Sequence, residues 1–83
     1  MDRPYIFDFQ SYVANQQIQS NCNAIAFHNL GASTVVINNG YPLAPGGKLE
    51  LSGNQLEVDQ TYYRFFFQPG GGNLLIVIRK IFL

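Results

Sequence analysis

Val35 to Leu51 reads VVINNGYPLAPGGKLEL, and its punctuation decides the fold class. A β-branched run, Val35-Val36-Ile37, meets Asn38-Asn39-Gly40, where residues that tolerate positive φ gather. Pro42 and Pro45 lack the N–H that a central strand needs, so the next stretch is irregular or lies at an edge. Beyond Gly46-Gly47, the segment Lys48-Leu49-Glu50-Leu51-Ser52 alternates strictly and sets Leu49 and Leu51 inward. Asn-Gly and Pro-Gly turns between period-two runs predict antiparallel β structure.

The same grammar extends in both directions. Upstream, Ile25 and Phe27 share one strand face and Ala24, Ala26 and His28 the other, with a turn at Asn29-Leu30-Gly31-Ala32. Downstream, Gly53-Asn54 turns into Gln55 to Asp59, whose alternation sets Leu56 and Val58 inward. Thr61 to Gln68 carries aromatic residues on both faces, and Leu74 to Leu83 is apolar on both faces except for Arg79 and Lys80. Such strands lie at the centre of a sandwich or are covered by something else. Pro69-Gly70-Gly71-Gly72-Asn73 between them reads as a flexible hairpin tip. Residues 24–83 are therefore expected to form an all-β domain, a small antiparallel β-sandwich or squashed barrel of about six to eight strands.

Residues 1–23 differ in character. Tyr5, Ile6, Phe7 and Phe9 fit a short strand with Asp8 facing away from the two Phe rings. SYVANQQIQSNCN is polar, and its few apolar residues fit a helical turn over Val13 to Gln19 only weakly. Two readings stay open: an extended N-terminal arm that packs on a neighbouring molecule, or an ordinary first strand plus loop.

The chain has 83 residues, enough for one domain whose core is small for its surface. The single cysteine, Cys22, excludes an internal disulfide, and the single histidine, His28, excludes a cysteine–histidine metal cage. Oligomerisation or docking on a partner is the remaining way to support so small a core. Five basic residues balance five acidic ones, which argues against a general nucleic-acid binder. Charged residues make up 12%, where roughly 25% is usual, and amides supply much of the polarity. Such a surface resists association poorly. The N-terminus lacks a signal-peptide pattern, no apolar run reaches the roughly 18 residues of a membrane helix, and synthesis in a cytoplasm is expected.

Chemistry finds little purchase in this sequence. His28 has no evident nucleophile or orienting acid, and it reads as a half-buried strand residue. Cys22 would need an activator and reads as a buried free thiol. Gly70-Gly71-Gly72 lies between strands, whereas phosphate cradles open a helix. Glu57 and Asp59 share a strand face at a spacing that suits calcium, but a solvated face is the commoner outcome. No enzyme activity, metal or cofactor is expected. The most suggestive cluster is Tyr62, Tyr63, Arg64 and Phe66, residue types that favour interfaces; the plainer reading directs Tyr63, Phe65 and Phe67 to the core and leaves Tyr62, Arg64 and Phe66 in a second layer or interface. Candidate interface residues are Tyr5, Phe7, Phe9, Tyr12, Tyr62, Arg64, Phe66, Arg79 and Phe82. Arg79 and Lys80 are expected to snorkel or to pair with Asp8, Glu57 or Asp59.

Phe27 to Gly53, FHNLGASTVVINNGYPLAPGGKLELSG, resembles a pattern in small β-sandwich virion proteins of bacteriophages. An Asn-x-Gly turn, a β-branched strand, an Asn-Gly turn and a Leu-x-Pro-Gly segment there lead into an alternating strand. The resemblance spans about a third of the chain and is architectural, so it carries over no functional residue. It implies a non-enzymatic minor capsid, decoration or spike-base protein. Such a protein would oligomerise or dock on other virion proteins and reside in the virion. A carbohydrate- or ligand-binding module using Tyr41, Tyr62 and Arg64 on an exposed face is the alternative.

Overall fold

The computed structural model describes residues 4–53 and 57–83. Eight strands and no helix appear among them: β1 (Tyr5–Tyr12), β2 (Gln16–Gln19), β3 (Ala24–Asn29), β4 (Val35–Ile37), β5 (Tyr41–Leu43), β6 (Lys48–Ser52), β7 (Tyr62–Phe67) and β8 (Leu75–Phe82). They form two four-stranded antiparallel sheets, ordered β1-β8-β3-β6 and β2-β7-β4-β5. The chain is thus the all-β sandwich that its turn chemistry predicts.

The pairing has a simple rule. β4 and β5 form a hairpin, and outward from it β3 pairs with β6, β2 with β7 and β1 with β8. The chain is folded in half at Asn38-Asn39 and rolled, which adds the β3–β8 and β4–β7 pairs. This is the double Greek-key winding of a jelly roll. Every connection except the β4–β5 turn passes from one sheet to the other.

Local chemistry explains the turning points. Asn38 (φ 54°) and Asn39 (φ 59°) take the two positive-φ positions of the hairpin turn, closed by the Gly40 N–H donating to the Ile37 carbonyl. Asn38 Oδ1 also accepts from the Arg64 N–H at 2.8 Å, which ties the turn to β7. Pro42 lies in β5, an edge strand of three residues. At Gly31 a Cβ would collide with the Gly72 carbonyl oxygen, so only glycine lets these two loops approach.

The core is aromatic. Ile25, Phe27, Leu75 and Val77 of one sheet meet Val35, Ile37, Leu43, Tyr63, Phe65 and Phe67 of the other. The Phe27 ring centroid lies 5.1 Å from Tyr63 and 5.7 Å from Phe65. Tyr12 closes one side at 5.3 Å from Phe65. Buried Asn29 is fully engaged: its Nδ2 donates to the Ser33 and Leu43 carbonyls, both at 2.8 Å, and its Oδ1 accepts from the Gly31 N–H.

Several expectations are corrected. Pro69 to Asn73 is not a hairpin tip, because β7 and β8 lie in different sheets. Both strands have each edge occupied by others, so they cannot pair together. The loop is also tied down: Ala32 N–H donates to the Gly72 carbonyl and Ser33 Oγ to the Gly71 carbonyl. Val58 is 61% exposed rather than inward, and residues 57–60 form an isolated Cys22–Asp59 bridge in place of a strand. Leu56 lies outside the described residues. Leu51 shares the inner face with Leu49, opposite Ile25, but β6 is the outermost strand and leaves it 40% exposed. No helical turn forms over Val13 to Gln19; Gln16–Gln19 is the strand β2, paired with β7. Tyr5–Tyr12 pairs along its whole length with β8 of the same chain.

Candidate interaction surface

β1 and β8 pair without interruption from Tyr5–Phe82 to Tyr12–Leu75. Leu75 and Val77 of β8 are core residues, so Ile76, Ile78, Lys80 and Phe82 take the outer face by alternation. Register then puts Tyr5, Phe7, Phe9 and Ser11 beside them. Phe9 is 65% and Phe7 54% exposed. Tyr5 makes edge contacts with Phe7 (5.5 Å) and Phe82 (6.2 Å). Lys80 Nζ lies 4.4 Å from the Tyr5 ring centroid and 5.4 Å from that of Phe82. Small Ala24 and Ala26 floor a shallow groove of about 340 Å3 bounded by Phe7, Ile78, Lys80 and Glu50.

Across the same strand pair, on the core side, Asp8 and Arg79 form an ion pair at 2.7 Å. Arg79 also donates to the buried Ser20 carbonyl at 2.8 Å, and its guanidinium holds the Asp8 carboxyl below its ordinary range. Ile6 points to this side as well yet is 46% exposed, so the second sheet does not reach this end of the pair.

The nine sequence-predicted interface residues therefore divide. Tyr5, Phe7, Phe9 and Phe82 share one outer face. Tyr12 packs on Phe65 at the core edge, and Arg79 faces inward against Asp8. Tyr62, Arg64 and Phe66 are exposed on the outer face of the other sheet, where Arg64 donates to Gln17 Oε1 at 3.3 and 3.4 Å. Tyr62, Arg64, Gln17, Asn38 and Asn39 border a groove of about 200 Å3. Tyr41 does not join them. It stands directly opposite inward-facing Ile37, so it lies on the reverse face of that sheet.

Cys22 is buried, and burial pushes its thiol pKa up, away from the nucleophilic thiolate. His28 stands opposite Lys48 and Ile76, neither of which can orient it as a base. Asp59 accepts from the Thr61 N–H and hydroxyl at Oδ1 and from the Tyr63 hydroxyl at Oδ2 (2.8 Å). No cluster of three or more metal-ligating side chains occurs among the described residues. No helix among them is long and apolar enough to cross a membrane. No protein-family model, curated protein or solved structure matches the chain.

What sequence reasoning missed is the open strand edge. Leu83 N–H donates to the Pro4 carbonyl at 3.0 Å, which makes Pro4–Leu83 a hydrogen-bonded pair. Bonded and non-bonded pairs alternate along an antiparallel ladder. The register is unbroken, so Ile6, Asp8, Gln10 and Tyr12 turn their backbone groups to β8. Tyr5, Phe7, Phe9 and Ser11 turn theirs outward, away from every strand of the sheet. Only the register, which a sequence does not print, tells the two sets apart.

Proposed function

We propose that this chain is a non-enzymatic assembly protein, a small bacteriophage virion component that joins copies of itself and other virion proteins. The observation that carries this reading is the exposed aromatic face of the β1–β8 pair, where Tyr5, Phe7 and Phe9 stand in a row. Jelly-roll winding is common to viral capsid domains and lectins, which supports the reading by analogy of fold only. The burial of Cys22 and the hydrogen-bonded carboxylate of Asp59 support a non-catalytic role.

Phe7 and Phe9 are already partly covered, so burying each returns on the order of 1 kcal/mol. Association costs roughly 4–15 kcal/mol, so side-chain burial must be joined by further contacts. Light scattering across a dilution series tests the reading. A discrete oligomer supports it. A monomer at every concentration that also fails to sediment with particles contradicts it.

The groove between Tyr62 and Arg64 favours a second reading, a carbohydrate-binding module, because Gln17, Asn38 and Asn39 add amide groups beside an exposed aromatic ring. Titration of a glycan panel against Tyr fluorescence tests it, and an unchanged signal and melting temperature count against it.

A further inference from the structure

The two sheets have four outer strands, and three of them are protected. β5 is three residues long and holds Pro42. β2 is four residues long. β6 carries Lys48 and Glu50 on its five residues. Short length, proline and charge are the usual devices that keep an edge from pairing. β1 has none of them: it is eight residues long, free of proline, and carries one charge, Asp8, which Arg79 already pairs.

We propose that β1 is the assembly edge, and that its occupant is β1 of a second copy, added antiparallel about a two-fold axis through Phe9. This deepens the assembly reading above and rests on it. The outward-facing N–H and C=O groups of Phe7, Phe9 and Ser11 become the hydrogen-bonded set of the new ladder. The β1-β8-β3-β6 sheets of the two copies then run on as one eight-stranded sheet.

The choice of a second copy follows from self-complementarity. A two-fold axis normal to the sheet sets each residue against one of the same face, so the centre falls on a residue. Centred on Asp8, the pairing opposes two carboxylates, which is unfavourable. Centred on Phe7, it uses only Tyr5 to Phe9 of the strand. Centred on Phe9, it uses Ile6 to Tyr12 and sets Ile6 against Tyr12, Phe7 against Ser11, Asp8 against Gln10 and Phe9 against Phe9. Each of these is a compatible pair, and Gln10 Nε2 already donates to Asp8 Oδ1 at 3.3 Å within one chain. Five basic and five acidic residues leave no net charge to hold two copies apart.

Three variants of the whole chain test the inference. Phe9→Pro removes an outward N–H and no β1–β8 bond, so it is compatible with the free chain. By symmetry it deletes two hydrogen bonds per dimer, and self-association measured by light scattering should weaken on the order of tenfold or more. Phe9→Ala keeps those bonds and should retain more of the association than Phe9→Pro. Phe9→Cys places two thiols about 5.5 Å apart between Cα atoms, within disulfide reach, and mild oxidation should trap a covalent dimer. Cys22 is buried, so the parent chain should not be trapped.

Phe9→Cys removes no hydrogen bond and keeps the test decisive if Phe9→Pro unfolds. An oligomer that Phe9→Cys does not trap and Phe9→Pro does not weaken overturns the β1 edge and leaves the assembly reading standing. A wild-type monomer at all concentrations overturns the β1 edge, and the assembly reading falls with it when that monomer also fails to sediment with particles.

Discussion

Asp8 of β1 and Arg79 of β8 stand directly opposite each other and are joined at 2.7 Å, each side chain about three-quarters buried. The pair fastens the part of the strand pair that the second sheet leaves uncovered. It also withdraws the only charge of β1 from the open edge. Asp8→Asn should destabilise the fold by roughly 1 kcal/mol at neutral pH, as expected for a partly exposed charge-assisted pair. Urea denaturation measures this, and a double-mutant cycle with Arg79→Met should show coupling between the two positions.

Asn29 is the polar centre of the fold. Removing its amide takes the Nδ2 donor from the Ser33 and Leu43 carbonyls and leaves the Gly31 N–H with the Leu74 carbonyl alone. Asn29→Ala should cost roughly 3 kcal/mol, since each buried unsatisfied group costs about 1–3 kcal/mol. A thermal melt should show a loss greater than that of Asn15→Ala, which removes a single hydrogen bond, accepted at Oδ1 from the Phe67 N–H at 2.8 Å.

The hairpin turn sets apart two asparagines of similar φ. Asn39 serves backbone conformation alone, so Asn39→Gly should be neutral or slightly stabilising, whereas Asn39→Val should cost roughly 1–2 kcal/mol. Asn38 also accepts from the Arg64 N–H, so Asn38→Gly should lose stability where Asn39→Gly does not. Chemical denaturation of the three variants checks the order.

Stability should fall at both ends of the pH scale. Burial alone would raise the Asp59 pKa, but hydrogen bonds from Thr61 and Tyr63 outweigh it and hold the carboxyl below its ordinary value. The Asp8 carboxyl is held low by Arg79. Carboxyls held low contribute stability above their unfolded pKa, about 3.9, and lose it as pH falls through their folded values. Tyr63 is pushed up to about 12 by burial and by Asp59. Its contribution is complete below an unfolded pKa of about 10 and is lost as pH rises through the folded value. Melting temperatures across pH should therefore show an acid limb that Asp59→Asn shortens and an alkaline limb that Tyr63→Phe shortens.

Much of this fold was legible because its signals are local. Alternation in Ala24 to His28 and in Tyr62 to Phe67 gave the inner and outer residues correctly, and Asn38-Asn39 gave the hairpin. The failures share a cause. Gly70 to Gly72 reads as a hairpin tip until one knows that β7 and β8 lie in different sheets, and strand partnership is not a local property. Leu51 and Val58 alternate as core residues do, but exposure depends on what covers them. Of the interface candidates, Tyr5, Phe7, Phe9 and Phe82 share a face, while Arg79 and Tyr12 turn inward and Tyr62, Arg64 and Phe66 lie on the other sheet, a division that follows from strand pairing. Which backbone groups of β1 are free follows from register alone.

Amide hydrogen exchange along β1, followed across protein concentration, tests assembly through this edge most directly. The Gln10 and Tyr12 N–H groups, bonded to β8, should be protected at every concentration. Those of Phe7, Phe9 and Ser11 should exchange freely when dilute and become protected together as the chain associates. Protection of the second set that never rises, in a sample shown to be oligomeric, would contradict the account.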